Sequence, residues 1–216
     1  MLGIPLSPAN GKSLTILCLG AHSDDIEIGC GGTILRLLKS QACDVHWIVF
    51  SAGRARRREA LDSARLFLER ARNKSIAIRS HRDGFFPYRG AKIKDEFERV
   101  KRAVDPDLIF THYRADLHQD HRLVNELTWN TFRNHLILEY EIPKYDGDLG
   151  SPNLFVELES SVCRTKIAYL QKAFASQRNK HWFTGDVFSA LMRLRGVEAH
   201  SQSGFAEAFY ARKLRV

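Results

Sequence analysis

The chain has 216 residues, 44% of them hydrophobic, and a formal net charge of +8 at pH 7. This length and apolar content suffice for one hydrophobic core, so we expect a single domain spanning residues 1–216. No apolar run approaches the roughly 18 to 20 residues of a membrane helix, and residues 1–10 lack the pattern of a signal peptide, so we expect a cytoplasmic protein. The four cysteines are scattered without a C-x-x-C motif, which favours reduced thiols in the core.

The first predicted elements are a strand at residues 14–19 and a helix at residues 33–39, separated by a turn. The strand is an uninterrupted apolar run, typical of a parallel strand that is covered on both faces. In open α/β sheets, the turns after the carboxyl ends of strands form the ligand crevice. Residues 20–32 are therefore the first candidate for a functional site.

This turn concentrates acidic side chains. Asp24, Asp25 and Glu27 are close enough in the chain to raise one another's pKa unless a cation lies among them. A nucleotide phosphate would be repelled there, despite the glycines that follow. His22 lies three residues before Asp25, so one turn of chain can direct an imidazole and a carboxylate at a single ion. The pattern predicts a metal site.

Alternating strands and helices follow the turn. The predicted elements are a strand at residues 44–50, a helix at 59–70, a strand at 74–78, a helix at 94–104, a strand at 108–110 and a helix at 121–133. This alternation is typical of a Rossmann-like α/β fold, a three-layer sandwich with a mostly parallel sheet and helices on both faces. Right-handed crossovers would place the loops after the strands on one sheet edge. From residue 136 onward, added strands and helices are predicted to complete the domain.

A second cluster of candidate ligands follows the strand at residues 108–110. Residues 116–121 contain two aspartates and two histidines, His118 and His121. This loop and the first turn are predicted to lie on the same sheet edge, so they can combine into a site with two histidines and one aspartate. Such a ligand set leaves coordination positions open, as catalytic zinc sites do and structural ones do not.

Both motifs resemble those of a known family. Residues 21–33, AHSDDIEIGCGGT, resemble the AHPDD-x-E-I-G-x-G-G-T signature of the PIG-L/LmbE-like zinc-dependent N-deacetylases, and residues 118–121, HQDH, resemble their H-x-D-H motif. One departure is Ser23, where the family usually has proline, which should loosen the turn without removing a ligand. The similarity runs over most of the chain, with weaker matches at residues 56–59, 176–177 and 206–209.

The resemblance implies roles for the central residues. It assigns His22, Asp25 and His121 as the metal ligands, and their spacing allows this. Asp24 would be the general base that takes a proton from the attacking water and passes it to the departing nitrogen. The alternative is that Asp24 is the ligand and that Asp25 caps the helix.

His118 is open to two roles: a fourth ligand or, as in the family, an electrostatic stabiliser of the oxyanion. We favour the second role, with Asp120 holding the ring as an imidazolium. Arg56 and Glu27 are assigned to substrate binding, Arg56 as a donor to sugar hydroxyls or an anionic group and Glu27 as a supporting acceptor. His112 is interpreted as a loop histidine near the site and not as a ligand.

We therefore expect a zinc-dependent hydrolase that removes an acetyl group from the amine of an N-acetylated sugar or glycoconjugate. The same ligands accept Fe2+, Co2+ or Mn2+. The alternative within the family is an amidase that acts on a thiol-sugar conjugate. The positive net charge suits an anionic substrate. The loop at residues 143–152 is a candidate rim that helps choose the substrate, and the assembly state, a homo-oligomer included, stays open.

Two functions of other classes compete with this hypothesis. His22, Asp24 and His121 match the two-histidine, one-carboxylate set of Fe(II) oxygenases. Those sets usually lie on β-rich barrels, whereas this one follows a buried strand and opens a helix. The arginines at residues 54–58 would suit a nucleic-acid-binding module. Because no nucleic-acid-binding motif accompanies them, we expect neither a nucleic-acid partner nor a membrane partner.

Overall fold

The computed structural model describes residues 3–8 and 12–215 of the chain. The strands are β1 Leu14–Gly20, β2 Cys43–Val49, β3 Asn73–Ile78, β4 Leu108–His112, β5 Leu136–Tyr140, β6 Leu154–Glu157 and β7 Ala206–Ala211. The helices are α1 Asp25–Ser40, α2 Arg54–Phe67, α3 Gly90–Ala103, α4 Gln119–Thr131, α5 Ser160–Ala173 and α6 Gly185–Glu198, with short 3-10 turns at Phe86–Arg89 and Ala175–Gln177.

In the described part of the chain, the strands form one seven-stranded sheet in the order β3-β2-β1-β4-β5-β7-β6. The five strands from β3 to β5 in this order are parallel. At the other end, β7 lies between β5 and β6 and runs antiparallel to both. The predicted mostly parallel α/β sheet with helices on both faces is thus confirmed.

Strand β1 shows why both faces of the sheet are covered. Successive side chains of a strand point to opposite faces, and here Ile16 and Cys18 enter one hydrophobic core while Leu17 and Leu19 enter the other. The first core lies under α1, α2, α5 and α6, and the second lies under α3 and α4. This double burial explains the uninterrupted apolar run in the sequence.

Helix α1 departs from the sequence prediction. It begins at Asp25 and contains the glycines that were predicted to form a turn up to residue 32. Glycine has low helix propensity, but tertiary packing overrides it here. A Cβ atom at Gly29 would overlap the ring of Tyr140, so glycine allows α1 to lie close against the sheet. As a result, the helix is buried from Asp25 through Ile34.

Three other helices also begin earlier than predicted. The predicted starts at residues 59, 94 and 121 correspond to Arg54, Gly90 and Gln119 in the structure. The first residues of α2 and α4 are polar, so they lack the apolar periodicity from which a helix start is read. Helix α3 begins with glycine, which has low helix propensity. All four cysteines are buried free thiols, as predicted. Within the described ranges, no helix combines the length and apolar character needed to cross a membrane.

Candidate metal centre

The candidate site lies at the carboxyl ends of β1 and β4, which are neighbours in the sheet. The loop after β1 contributes His22, and the start of α1 contributes Asp25. The N-cap of α4 is His118, and the first turn of α4 contributes His121. His22 and His121 are 99 positions apart in the sequence, yet their rings are in contact. The structure therefore brings together the two segments in which ligands were predicted.

The three side chains predicted as metal ligands converge on one point. His22 Nδ1 lies 3.0 Å from His121 Nε2 and 3.4 Å from Asp25 Oδ2, and His121 Nε2 lies 3.6 Å from Asp25 Oδ2. In a tetrahedral site with zinc–ligand bonds of about 2.0 to 2.1 Å, ligand atoms lie about 3.3 to 3.4 Å apart. The donor types and their separations fit a divalent cation with two imidazoles and one carboxylate.

Carboxylates behind the two histidines orient their rings. His22 Nε2 lies 3.0 Å from Asp83 Oδ1 and 3.4 Å from Asp120 Oδ2. His121 Nδ1 lies 2.9 Å from Asp116 Oδ2. A ring nitrogen beside a carboxylate carries the proton, which leaves the lone pair on the other nitrogen. Both histidines are thus held with the lone pair of the converging nitrogen directed at the centre.

The ionisation of the three groups also suits a cation. Burial lowers the pKa of His121 to about 3, which keeps this ring neutral. Burial would raise the pKa of Asp25, but His121, His112 and His22 hold that pKa well below its usual range. For His22, burial acts to lower the pKa, and Asp25 and the other carboxylates outweigh it and raise the pKa well above its usual value. A proton on His22 therefore competes with a metal, as is general for such ligands.

Asp24 pairs with Arg56 and not with the three converging atoms. Its Oδ1 accepts a hydrogen bond of 2.7 Å from Arg56 Nη2, and its Oδ2 is buried with no hydrogen-bond partner among the described residues. Burial, which outweighs the nearby Arg56, raises the pKa of Asp24. Asp25, in contrast, accepts the backbone N–H of His22 at 2.6 Å. Asp24 is at the N-cap position of α1 without a capping bond, so the alternative that exchanges the two aspartates lacks geometric support.

The predicted pairing of Asp120 with His118 is wrong. The Asp120 carboxylate accepts the backbone N–H groups of Gly84 and Phe86 at 2.7 and 3.1 Å and faces His22. His118 Nδ1 instead accepts the backbone N–H of Asp120 at 3.2 Å, as the N-cap of α4. Because Nδ1 accepts this hydrogen bond, the ring proton lies on Nε2 and the ring is not an imidazolium. Burial acts in the same direction by lowering the pKa of His118. The H-x-D-H spacing allowed Asp120 to pair with His118 or with other groups. In the structure, the Asp120 carboxylate binds the backbone amides of the loop instead.

His112 is closer to the centre than predicted. It is the last residue of β4 and not a loop residue, and it is fully buried. Its Nε2 lies 3.2 Å from Asp25 Oδ2 and accepts the backbone N–H of Ala21 at 2.9 Å. That hydrogen bond uses the lone pair that a metal would need, so His112 supports the turn before His22 and is not available as a ligand.

Glu27 is too deeply buried to contact a substrate, whereas the substrate-binding role of Arg56 stays a prediction. Glu27 is fully buried, and neither of its carboxyl oxygens has a hydrogen-bond partner in the described part of the chain. Burial raises the pKa of Glu27 well above its usual value. Arg56 remains partly exposed, but its guanidinium group is paired with Asp24. Its first role is to hold Asp24.

The rim loop at residues 143–152 reaches the centre through Lys144. Lys144 Nζ lies 3.0 Å from Asp116 Oδ2, the oxygen that also orients His121, and it pairs with Asp148. Asp148 in turn accepts the backbone N–H of Leu117 at 2.7 Å. Lys144 is nearly buried despite its charge. The loop predicted as a substrate rim is therefore tied to the support of a candidate ligand.

Asp116, Asp83 and Lys144 were not predicted to support the metal ligands. Asp116 had a detectable signal, because an aspartate precedes His121 by five residues within the same short loop. Asp83 and Lys144 had none. They come from loops after other strands, and only the parallel sheet brings those loops to the same edge.

The sequence of the chain is similar to those of known proteins. A family model described as PIG-L: GlcNAc-PI de-N-acetylase matches residues 17–132, the part of the chain that carries His22, Asp25, His118 and His121. The chain is also similar to the uncharacterized deacetylase YaiS of Escherichia coli K12. They are 27% identical over 180 residues, which cover 77% of this chain and 94% of YaiS.

Solved structures share the fold. N,N'-diacetylchitobiose deacetylase from Pyrococcus horikoshii has a TM-score of 0.69 and 19% identity, covering 91% of this chain and 83% of that chain. GalB, the 4-carboxy-2-hydroxymuconate hydratase of Pseudomonas putida KT2440, also has a TM-score of 0.69, with 18% identity, covering 94% of this chain and 98% of that chain. Since a deacetylase and a hydratase are equally similar here, these likenesses show the fold alone.

Proposed function

Because the chain belongs to the PIG-L family, we propose that it is a metal-dependent hydrolase that removes an acetyl group from the amine of an N-acetylated sugar or glycoconjugate. The observation that carries this proposal is the convergence of His22 Nδ1, Asp25 Oδ2 and His121 Nε2 within 3.6 Å of one another. An acid without a full set of partners, Asp24, lies directly beside them. Metal-dependent amide hydrolysis uses a cation that activates water and a base that takes the proton of that water.

His22, Asp25 and His121 would hold the metal, with zinc as the proposed ion and Fe2+, Co2+ or Mn2+ as substitutes. When bound, zinc would acidify a water molecule and polarise the amide carbonyl. Asp116 and Asp83 keep the two imidazoles in the required tautomer. The two-histidine, one-aspartate set leaves coordination positions open for substrate, which suits a catalytic site.

Asp24 is proposed as the general base. Arg56 holds its Oδ1 at 2.7 Å, so the second oxygen, which has no partner among the described residues, is fixed in place and available for a proton. Burial raises the pKa of Asp24, which makes this carboxylate a stronger base than an exposed aspartate. The same oxygen can deliver the proton to the departing amine, so one residue serves both halves of the reaction.

His118 is proposed to stabilise the oxyanion as a neutral hydrogen-bond donor. Because its Nδ1 accepts the Asp120 N–H, its proton lies on Nε2. Its ring centroid is 4.7 Å from that of His22 and 4.6 Å from that of His121, so it lines the same centre. A fixed donor at the point where negative charge develops lowers the barrier without needing a full positive charge.

The substrate proposal extends to an anionic or nucleotide-linked N-acetylated sugar. The net charge of +8 would attract such a molecule, and Arg54 and Arg58 at the start of α2 are exposed near Arg56. A thiol-sugar conjugate is the alternative substrate. A reducing compartment such as the cytoplasm suits the four free thiols.

The test is a screen of the zinc-loaded protein for release of free amine and acetate. The panel contains N-acetyl-hexosamines, nucleotide-linked N-acetylated sugars and thiol pseudodisaccharides. We expect turnover of at least one class, abolished by a chelator and restored by zinc. Asp24→Asn is the matched control, because it should retain the metal and lose turnover. Substrate that gains water without releasing acetate, or turnover that a chelator leaves unchanged, would contradict the proposal.

A further inference from the structure

A second buried charged cluster lies on α1, seven residues beyond Asp25. In the middle of this helix, the backbone N–H groups of Gly32 and Thr33 donate to Glu207 Oε1 and Oε2 at 2.8 and 2.6 Å. Lys166 Nζ lies 2.6 Å from Glu207 Oε1. Lys166 and Glu207 are both almost fully buried. Strand β7 thus supplies the carboxylate and α5 supplies the ammonium group.

Lys166 and Glu207 form hydrogen bonds with backbone groups of α1 that would otherwise bond to each other within the helix. An amide inside an α-helix donates to the carbonyl group four residues earlier, which for Gly32 is that of Ile28. That carbonyl oxygen accepts a hydrogen bond of 2.6 Å from Lys166 Nζ. A Cβ atom at Gly32 would lie 2.8 Å from Glu207 Oε1 and 2.6 Å from Leu158 Cδ1, so glycine provides the space for the carboxylate. We name Lys166 and Glu207 the α1 clamp.

The clamp is one helical turn from the candidate base. The backbone N–H of Ile28 donates to the Asp24 carbonyl at 3.0 Å, while the Ile28 carbonyl accepts from Lys166. A single peptide-linked residue therefore joins the clamp to the turn that carries Asp24 and Asp25. Any axial shift or rotation of this turn moves both aspartates relative to His121, which lies on α4, and relative to His22, which lies in the turn before α1.

We propose that Lys166 and Glu207 are positioning residues that set the placement of Asp24 and Asp25 relative to the two histidines. The catalytic part of this inference rests on the proposed function, whereas its structural part concerns metal coordination alone. Both clamp residues lie outside residues 17–132, the part matched by the family model. The C-terminal third of the chain would thus hold the metal-bearing helix in place.

The alternative is that the clamp only stabilises the fold. A buried ion pair is costly to desolvate, and an apolar pair of similar volume often stabilises a protein as well or better. An apolar pair, however, could not receive the Gly32 and Thr33 amides or donate to the Ile28 carbonyl. The clamp therefore adds direction-specific bonds to α1 that apolar packing does not supply.

The experiment compares Glu207→Gln and Lys166→Met with Leu170→Ala, a buried truncation on the same helix α5. Each variant is loaded with Co2+, whose visible absorption reports coordination geometry, and its zinc affinity and melting temperature are measured. Leu170→Ala should lower the melting temperature and leave the cobalt spectrum and zinc affinity unchanged. The clamp variants should shift the spectrum and weaken zinc binding by about tenfold, the effect seen when ligand supports are lost. With a substrate that the parent protein hydrolyses, the clamp variants should have a lower kcat and an unchanged KM.

Two milder variants keep the inference testable if Glu207→Gln and Lys166→Met fold poorly. Gly32→Ala pushes against Glu207 Oε1 while favouring helix formation, and Lys166→Arg keeps the charge. We expect Gly32→Ala to shift the cobalt spectrum and Lys166→Arg to remain closer to the parent protein than Lys166→Met. Spectra and zinc affinities identical to the parent in all clamp variants, with only the melting temperature lowered, would overturn the inference. If the parent protein hydrolysed no N-acetylated sugar, the proposed function would fail while the cobalt spectra still tested the clamp.

Discussion

The two buried charged clusters on α1 differ in how their charges are matched. In the α1 clamp, the Glu207 oxygens and the Lys166 ammonium group find their partners within the chain. In the catalytic cluster, which consists of His22, Asp24, Asp25 and His121, one Asp24 oxygen has no partner in the described residues. Three ligand-type atoms there also lie within 3.6 Å of one another.

We interpret this difference as one of role: the charged groups of the clamp hold α1 in place, and those of the catalytic cluster are proposed to take part in the reaction. Burying an ionisable group without a partner costs free energy, so a fold retains it only where something else completes it. Under the proposed function, a cation and a substrate would complete the catalytic cluster, whereas the clamp is complete by itself. The comparison predicts that variants of the first cluster lose activity more than stability, and that variants of the second lose both.

The largest effect is expected from Asp24→Asn. Removing the general base should lower kcat by about 10²- to 10⁴-fold, because this is the usual contribution of acid–base catalysis. The side chain keeps its size and lies outside the three converging atoms, so zinc content should not change. Steady-state kinetics measures kcat, and metal analysis of the same preparation measures the zinc content. Turnover within a few-fold of the parent protein would refute the role of Asp24.

The next largest effect is expected from Asp116→Asn. Asp116 holds His121 Nδ1 at 2.9 Å, and losing such a support typically weakens metal binding by about 10- to 100-fold. Asp105→Asn is the matched control, because Asp105 also lies 2.9 Å from a histidine, His135, but at an exposed position. Zinc titration should separate the two variants. Equal zinc affinities would show that Asp116 does not support the centre.

A smaller effect is expected from Arg56→Met, which distinguishes the two roles considered for this arginine. If Arg56 orients Asp24, kcat should fall by about tenfold with KM unchanged, because only the placement of the base is impaired. If Arg56 binds substrate, KM should rise. Arg58→Met on the same helix is the control, since the Arg58 side chain is 90% exposed. A rise in KM alone would return Arg56 to the substrate-binding role.

The smallest effect is expected from Lys39→Met. Lys39 and Glu159 join α1 and α5 at 2.8 Å like the clamp, but their side chains are 52% and 63% exposed. Exposed pairs contribute about 0 to 1 kcal/mol, whereas breaking a buried pair costs about 3 to 5 kcal/mol. Denaturant unfolding of Lys39→Met and Lys166→Met should show this contrast in the free energy of unfolding. If both variants lost the same free energy of unfolding, the buried Lys166–Glu207 pair would contribute no more to stability than the exposed Lys39–Glu159 pair.

Much of the fold and the centre could be predicted from the sequence because the signals are local. The apolar run of β1 identifies a strand covered on both faces, and the His22–Asp25 spacing identifies a ligand pair within one turn. Strands β1 and β4 are parallel neighbours, so their following loops had to meet. The meeting of His22 with His121 across 99 positions follows from this topology.

The rest could not be predicted because it depends on long-range contacts. Glu207 meets Gly32 across 175 positions, and Lys166 meets Ile28 across 138. No periodicity or motif spacing encodes such pairs. The same contacts explain the error in the start of α1: glycines that locally favour a turn are required by close packing inside a helix. The exchange of partners at Asp120 likewise depended on Gly84 and Phe86, from a different loop.

The most direct test of the account is the zinc affinity of His121→Ala, measured by calorimetric titration beside the parent protein and the surface variant His135→Ala. We predict one zinc ion per chain in the parent protein and in His135→Ala. In His121→Ala, the affinity should fall by more than about a hundredfold, beyond the usual effect of losing a ligand support, and turnover should be lost with it. If His121→Ala bound zinc as tightly as the parent protein, the three side chains would not share one ion, and the account would be contradicted.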